Sequence, residues 1–361
     1  MTEIDTLLKK RISRRAALST GAKIGIAAGV AAVVAGVGGY AAGTVATPAK
    51  VETVVQTVKE TVTATAKPPA RFKLFFATHA TPHPFWDAVR KGAVEAAELL
   101  PVELQFPFME EFSGERQAEF MRQALAVGAH GVAITAALPD VVRPLTQEMR
   151  NKGIPVIAIN TDDPSGKTPY MSYIGANLYE QGREVGKAAL TYGILKKGDN
   201  VVVMISEPGH VGLEARAKGI LDVMKENGIT GDKLDVGKEF TRVQSLIKSY
   251  LQAHPGTKGI FGADAYTSGS VGELVRLENL KGQVVAGGFD VHEQILNNIR
   301  DGWMTFTHDQ QPYAQGFYGV VELYTYLHAG IYPMNINTAT GIIDKSNVAS
   351  HIDFAKKGYR G

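Results

Sequence analysis

The 361-residue sequence contains no cysteine. This absence excludes disulfide bonds, thiolate nucleophiles, thiolate metal ligands and a lipid-modified cysteine as a membrane anchor. A zero count does not by itself assign the chain to an oxidising or a reducing compartment.

An excess of charge of one sign is missing as well. The chain carries 38 Lys and Arg against 36 Asp and Glu, a net charge of +2. Proteins that bind nucleic acids usually concentrate positive charge, so we predict no nucleic-acid partner. The 45% of hydrophobic residues in a chain of this length allows a large core and more than one lobe.

Motifs for catalysis and cofactor binding are also lacking. The sequence has no G-x-S-x-G and no H-E-x-x-H, and its nine histidines include no pair at evident metal-ligand spacing. Residues 36–41 fit G-x-G-x-x-A but follow no strand, and "GKT" at 166–168 lacks the phosphate-loop glycine because position 161 is Thr. We therefore predict no catalytic residue, no metal site, no cofactor and no enzymatic activity.

The N-terminus has the pattern of an export signal. Residues 9–18, "KKRISRRAAL", are basic and contain Arg14 and Arg15, and residues 24–43 have no charged side chain. The pattern resembles a twin-arginine signal peptide. The apolar run of roughly 20 residues is also long enough for a retained membrane anchor. In either case the positive charge stays inside, which predicts a periplasmic or cell-surface location for the rest.

A linker follows this segment. Residues 44–70 are rich in Thr and Val and end in Pro68 and Pro69. This composition predicts a stalk, either extended or containing a short helix.

From Phe72 onward, apolar strand-like segments alternate with helical patterns. Buried strands separated by helices are typical of parallel sheets covered on both faces. We predict an α/β fold of two similar doubly wound parallel-sheet lobes joined by a hinge. The strand candidates are residues 72–77, 102–106, 131–135, 155–160, 201–206, 259–264, 284–290 and 304–308.

The two predicted lobes arise from an internal repeat. "RKGAVEAAELLPVEL" is echoed by "AKGILDVMKENGI", and "GIPVIAIN" is echoed by "GQVVAGGFD". Aligning Gly92 with Gly219, residue 131 with 259, and residue 160 with 290 gives offsets between 127 and 130 residues. A nearly constant offset indicates duplication.

Two strand-end loops are candidates for the walls of a ligand cleft, because open α/β sheets bind ligands at the carboxyl ends of their strands. These loops are "THATPHPFW" at 78–86 and "SEPGHVGLEAR" at 206–216. Trp86 and Phe85 could stack on the apolar face of a sugar, although Phe85 also suits the helix core. His83 could cap the helix or donate to a ligand hydroxyl.

Polar residues recur at the other strand ends. Asn160 and Asp162 follow one strand, Asp264 another and Asp290 a third. Such a carboxylate is often only a helix N-cap, but several at one edge can bind vicinal hydroxyls.

The motifs together resemble a known family. "HPFWDAVRKGA", "GVAIT", "GIPVIAIN", "YIGANLYEQGREVG", "HVGLEARAKG", "GGFD" and "DQQPYAQG" occur in the order found in type I periplasmic sugar-binding proteins, the ribose- and galactose-binding group of ABC importers. The resemblance covers residues 72 to 345. It implies two lobes joined by three crossovers, with a monosaccharide bound between them.

The resemblance also implies roles for particular residues. It places stacking aromatics at Phe85 and Trp86, and a polar contact at His83. Further sugar ligands are implied at Asp264, Asp290 and Gln310.

Two positions depart from the family pattern. Asn160 stands where ribose binders often show the first residue of an Asp-Arg pair, so Asp162 could substitute for the missing carboxylate. The usual arginine of the second lobe falls at Glu214 or at Arg216, and the sequence leaves this register open.

The crossovers set the predicted domain boundaries. We expect an N-terminal lobe of residues 71–176 and 311–341, and a C-terminal lobe of residues 177–310 and 342–361. The chain is predicted to be a monomer.

The predicted function is that of an extracellular solute-binding protein, which captures a monosaccharide or related polyol and delivers it to an ABC transporter permease. A sensor of a sugar-like signal of the autoinducer type, or of a nucleoside, would use the same fold. A transcriptional repressor would need a helix-turn-helix where the export signal stands. An exported hydrolase would need an acid and base pair in the cleft, for which Asp162 and Asp290 are candidates.

Overall fold

A computed structural model describes residues 72–361 of the chain, all within one unit. The predicted export signal, membrane anchor and stalk lie in residues 1–71, outside the described part. None of the helices described is both long and apolar enough to cross a membrane.

Ten helices and twelve strands alternate along the described residues. The helices are α1 Pro84–Leu99, α2 Gly114–Ala126, α3 Pro139–Asn151, α4 Leu178–Thr191, α5 Val211–Glu226, α6 Phe240–Ala253, α7 Ala265–Leu277, α8 Glu293–Asp301, α9 Pro312–Ala329 and α10 Ala349–Lys356. The strands are β1 Phe72–Ala77, β2 Val102–Gln105, β3 Gly131–Ile134, β4 Val156–Ile159, β5 Tyr173–Gly175, β6 Asn200–Ile205, β7 Thr230–Asp235, β8 Thr257–Gly262, β9 Val285–Gly287, β10 Phe306–Asp309, β11 Ile336–Asn337 and β12 Gly341–Asp344.

The first sheet is parallel throughout, in the order β11-β5-β4-β3-β1-β2. Strands β3 and β4 are fully buried, because apolar clusters cover both faces of the sheet. Covered faces explain why these strands read as continuous apolar runs in the sequence.

The second sheet is also parallel and has the order β7-β6-β8-β9. Both sheets therefore place their first strand between their second and third strands. A short antiparallel pair, β10 and β12, adjoins the segment that follows β9, through a bridge between Phe289 and His308. The shared strand order confirms the predicted α/β fold with two parallel-sheet lobes.

The chain passes between the sheets three times. The first passage follows β5 and leads through α4 to β6. The second lies between β10 and α9, and the third between β11 and β12. The lobe boundaries expected from the sequence, after residues 176, 310 and 341, stay a prediction.

The internal repeat has a packing counterpart. A Cβ added to Gly92 of α1 would overlap the backbone carbonyl oxygen of Tyr313 in α9, and one added to Gly219 of α5 would overlap that of Tyr179 in α4. These glycines are the pair that the sequence repeat aligns. In each lobe, the helix after the first strand thus crosses a neighbouring helix at backbone contact.

Eight strand candidates correspond to observed strands, with small shifts at their ends. Four strands were not predicted: β5, β7, β11 and β12. Strand β7 reads "TGDKLD" and is largely exposed at the sheet edge, so it lacks an apolar pattern. Strands β5 and β11 have only three and two residues.

Candidate functional site

A cleft lies between the two lobes at the carboxyl ends of their strands. It contains about 560 Å³ of space, including the part open to solvent. Eight of the ten residues predicted to contact a ligand line it: His83, Phe85, Trp86, Asn160, Arg216, Asp264, Asp290 and Gln310.

The structure does not bring the other two predicted residues into this cleft. Asp162 lines a separate depression beside Asn177. Both carboxylate oxygens of Glu214 accept from Lys233 Nζ, at 2.9 and 3.1 Å. Residues two apart on a helix point about 200° away from each other, so only one of Glu214 and Arg216 can face the cleft. The packing of α5 selects Arg216.

Phe85 and Trp86 form an apolar wall in the first turn of α1. The fixed φ of Pro84 suits the start of this helix, and His83 caps it by accepting the backbone N–H of Phe85 at Nδ1 (3.2 Å). Phe85 and Trp86 are 5% and 6% exposed and belong to the core cluster of the first sheet. Each of the two side chains packs in the core and also lines the cleft. For Phe85, core packing and a position in the cleft wall are therefore compatible.

His83 also reaches the opposite lobe. Its ring centroid lies 4.3 Å from that of Tyr266 at the start of α7. Burial, together with the nearby His292 and Lys238, lowers the pKa of His83 to about 3. Because Nδ1 accepts the capping bond, the neutral ring carries its proton on Nε2, where it can donate.

The other side of the cleft carries an acidic and a basic group, Asp290 and Arg216. Asp290 is buried, has a left-handed φ of 72°, and its Oδ1 accepts from Gln310 Nε2 at 2.6 Å. Burial raises the pKa of Asp290 to about 6, against the opposing effects of Arg216 and Gln310. Arg216 Nη2 and Gln310 Oε1 are buried without a partner among the described residues. One unused donor and one unused acceptor thus belong to side chains that line the same cleft.

Arg216 is held by three neighbours. Its Nε donates to Gln181 Oε1 and its Nη1 to the carbonyl of Ala263, both at 3.0 Å. The guanidinium carbon lies 4.3 Å from the ring centroid of Phe289. Two hydrogen bonds and the stacking on Phe289 hold the guanidinium in one orientation. Nη2 is the nitrogen that makes no hydrogen bond within the described residues.

Asp264 and Asn160 are already partly engaged. Asp264 caps α7: its Oδ1 accepts the N–H of Thr267 and its Oδ2 that of Ser206, both at 3.0 Å. The N-cap reading of this carboxylate is thus confirmed, although it also lines the cleft. Asn160 has a φ of 65°, and its Oδ1 accepts from the Thr161 hydroxyl, which leaves the amide N–H₂ to donate.

Sequence reasoning missed two histidines that meet across the cleft. His79 Nε2 lies 3.3 Å from His210 Nε2. His210 Nδ1 accepts the N–H of Gly212 as the cap of α5, so Nε2 is its protonated nitrogen and donates to His79. Burial lowers the pKa of both rings, that of His210 to about 3. Both lie in the strand-end loops quoted from the sequence, so their position was the available signal.

Comparisons with known proteins agree with this architecture. A family model described as "Periplasmic binding protein domain" matches residues 74–330. A xylose/arabinose-binding protein of Sulfolobus acidocaldarius is 34% identical over 296 residues, which cover 78% of this chain and 73% of that protein.

Two solved structures are similar over most of the chain. A periplasmic sugar-binding protein of an ABC transporter from Legionella pneumophila has a TM-score of 0.71 and 30% identity, covering 75% of this chain and all of the other. A carbohydrate transporter protein from Acidothermus cellulolyticus, solved with myo-inositol, has a TM-score of 0.72 and 26% identity, covering 80% and 99%.

The chain therefore belongs to the periplasmic binding protein family and has its type I fold. Within that family it is a solute-binding protein of the kind that serves ABC sugar transporters, as the sequence predicted. Membership in this transport family implies an exported protein and agrees with the prediction that the chain is not an enzyme.

Proposed function

We propose that the cleft binds a pentose, with Trp86 against its apolar face and with Arg216, Asp290 and Gln310 on its hydroxyls. The observation that carries the proposal is the unused pair of buried atoms, Arg216 Nη2 and Gln310 Oε1. A sugar hydroxyl can accept from the first and donate to the second. A buried polar group left without a partner costs about 1–3 kcal/mol, so a ligand that satisfies both atoms gains affinity.

The choice of a pentose rests on two observations. The relative from Sulfolobus acidocaldarius is named for xylose and arabinose. The cleft is also narrowed by two contacts between the lobes, His79 with His210 and Thr81 Oγ1 with the Tyr266 hydroxyl at 3.2 Å. Such a narrow cleft favours a pentose, because a pentopyranose lacks the exocyclic hydroxymethyl group of a hexopyranose.

Ligand capture can be measured with the chain's own fluorescence. The sequence has only two tryptophans, and Trp303 lies beside Lys281, away from the cleft. In a Trp303→Phe variant all tryptophan emission comes from Trp86. Titration with D-xylose, L-arabinose, D-ribose, D-glucose and myo-inositol should change that emission most strongly with a pentose.

Calorimetry of matched variants completes the test. Trp86→Ala should weaken pentose binding at least about tenfold, the loss of roughly 1.4 kcal/mol or more of stacking and apolar contact. Trp303→Phe should bind like the unchanged protein. Equal affinity in Trp86→Ala, or saturable binding of hexoses with none of pentoses, would contradict the proposal.

We further propose that the protein delivers its sugar to an ABC transporter permease from the periplasmic or outer face of the membrane. A twin-arginine signal in residues 1–43, either cleaved or kept as an anchor, would take it there. Fractionation of cells expressing the full chain, with mass analysis of its N-terminus, separates these alternatives. Arg14→Lys with Arg15→Lys should leave the protein in the cytoplasm, and export unaffected by the double change would rule out the twin-arginine route.

A further inference from the structure

A chain of polar contacts runs from the cleft to the crossovers between the lobes. Arg216 Nε donates to Gln181 Oε1 at 3.0 Å, and Gln181 Nε2 lies 3.0 Å from His308 Nδ1. His308 Nε2 lies 2.7 Å from Glu184 Oε2. Three of these side chains are buried, and that of Glu184 is about half exposed.

The chemistry of arginine fixes the direction of these bonds. A guanidinium only donates, so the oxygen of Gln181 must face Arg216 and its N–H₂ must face His308. Nδ1 of His308 is then an acceptor, its proton sits on Nε2, and that proton is donated to the carboxylate of Glu184. The bond from His308 in turn lowers the pKa of Glu184.

A competing acceptor lies beside the same histidine nitrogen. The backbone carbonyl oxygen of Asp309 is also 3.0 Å from His308 Nδ1. A carbonyl cannot donate, so this contact becomes a hydrogen bond only when Nδ1 is protonated. If His308 Nδ1 were protonated, its N–H would point at the N–H₂ of Gln181, and two donors cannot form a hydrogen bond with each other. The two contacts are therefore alternatives, and only the unprotonated nitrogen supports the Gln181 orientation that holds Arg216.

Gln181, Glu184 and His308 lie on elements next to the crossovers between the lobes. Gln181 and Glu184 lie one turn apart in the first half of α4, which follows the first crossover. His308 is on β10, which leads into the second crossover. The orientation of Arg216 in the cleft thus depends on two elements that connect the lobes.

We propose that Gln181 and His308 are positioning residues, which fix the guanidinium of Arg216 so that its free Nη2 faces the bound sugar. The proposal rests on the proposed function of Arg216 as a sugar ligand, and it adds residues that do not line the cleft themselves. Neither Gln181 nor His308 belongs to the predicted ligand set.

A double-mutant cycle tests this dependence in the full chain. With L-arabinose or D-xylose as the probe, whichever binds more tightly, Gln181→Met should lower affinity at least about tenfold, the loss of one charge-assisted hydrogen bond. In an Arg216→Met background the same change should have no further effect. An additive effect in both backgrounds would show a general structural role and overturn the proposal. Glu180→Gln, an exposed change on the same helix, serves as the control.

Two substitutions of His308 distinguish the contribution of its acceptor nitrogen from the contribution of its side-chain volume. Asparagine places an amide oxygen near the position of Nδ1, so His308→Asn should keep affinity within about threefold. His308→Leu fills similar space without an acceptor and should match the loss in Gln181→Met. Equal affinity in the two variants would contradict the assigned role.

The tautomer can be observed without any sugar. In ¹⁵N-labelled protein at pH 8, the His308 ring, assigned by its disappearance in His308→Asn, should carry its proton on Nε2. A proton on Nδ1 would overturn the inference, whether or not a pentose binds. Failure to bind any pentose, with the Nε2 tautomer present, would instead count against the proposed function alone.

Discussion

Asp264 and Asp290 each follow a strand of the second sheet, and their surroundings give the two carboxylates different tasks. Asp264 uses both oxygens to accept backbone N–H groups at the start of α7. Asp290 is buried near Arg216 and is bonded at Oδ1 by Gln310. The first carboxylate therefore holds the loop together, and the second is more available to a ligand.

The raised pKa of Asp290 predicts a pH-dependent affinity. Sugar hydroxyls donate to the ionised carboxylate, so the ligand favours the unprotonated form. Affinity should be constant well above the pKa of about 6 and should fall as pH drops below it, by up to about tenfold per pH unit. Calorimetry from pH 5 to 8 in buffers of different ionisation enthalpy would detect the released proton.

The control for this prediction is Asp290→Asn, which removes the titrating group and keeps the side chain's shape. Its affinity should be lower at pH 8, and the proton release at acidic pH should be smaller than that of the unchanged protein. A proton release that is the same in both proteins would assign the pH dependence to another group.

The helices show why the sequence repeat was detectable. Gly92 and Gly219 sit where α1 and α5 touch the backbone of α9 and α4. A side chain there would force the helices apart, which explains why the same residue stands at both positions of the repeat. The two halves thus share a close helix–helix contact that requires glycine, in addition to their similar sequences.

This contact predicts a large effect of one methyl group. Gly92→Ala should lower the free energy of unfolding by about 3 kcal/mol, because the added Cβ meets a backbone carbonyl of α9 that has no rotamer to change. Urea unfolding followed by fluorescence would measure the loss.

Gly319, on α9, provides the matched control. Its added Cβ would meet side-chain atoms rather than backbone: the Phe76 ring at 3.1 Å and Ile159 Cγ2 at 3.6 Å. The gain in helix propensity of about 1 kcal/mol offsets the crowding, so Gly319→Ala should stay within about 1 kcal/mol of the unchanged protein. If both substitutions cost the same, close helix packing is not the reason for the glycine at position 92.

The elements that sequence reasoning found and missed follow a physical rule. Strands β3 and β4 are covered on both faces and so are continuously apolar, which makes them visible in the sequence. Strand β7 has one neighbouring strand and an exposed surface, so its polar residues carry no such signal. Strands as short as β11 are formed by their neighbours rather than by their own composition.

At the scale of the whole molecule, the two lobes touch through neutral histidines. His79 and His210 come from different lobes. Their hydrogen bond needs an unprotonated Nε2 on His79 as the acceptor, and the cap of α5 needs an unprotonated Nδ1 on His210. Burial lowers the pKa of each, so each binds its proton more weakly in the folded protein than in the unfolded chain. Their contribution to stability is complete above a pH of about 6.5 and declines as the pH falls below it.

Loss of this contact should open the unliganded protein. Because the chain has no cysteine, Glu111→Cys and Lys225→Cys give two unique, exposed labelling sites, one in each lobe. Adding His210→Gln should lower the transfer efficiency between dyes at these sites without sugar, and saturating pentose should restore much of it.

His130→Gln, an exposed histidine of the first lobe, is the control and should leave the transfer efficiency unchanged. An unchanged efficiency in His210→Gln as well would show that other contacts keep the lobes together.

The sequence by itself determined the two parallel-sheet lobes, the repeat and the edge at which a ligand site would form. These features arise from local patterns: apolar runs, helix starts and the loops that must follow parallel strands. Eight of the ten residues predicted to contact a ligand line the cleft, and their role as ligands stays a prediction.

Only the tertiary structure decided which side chains meet. Helix packing turned Arg216 rather than Glu214 toward the cleft, and folding brought His79 to His210 across 131 residues of chain. It also placed Gln181 between Arg216 and His308. Such contacts depend on how distant elements rotate and pack against one another, and no local pattern of residues encodes that rotation.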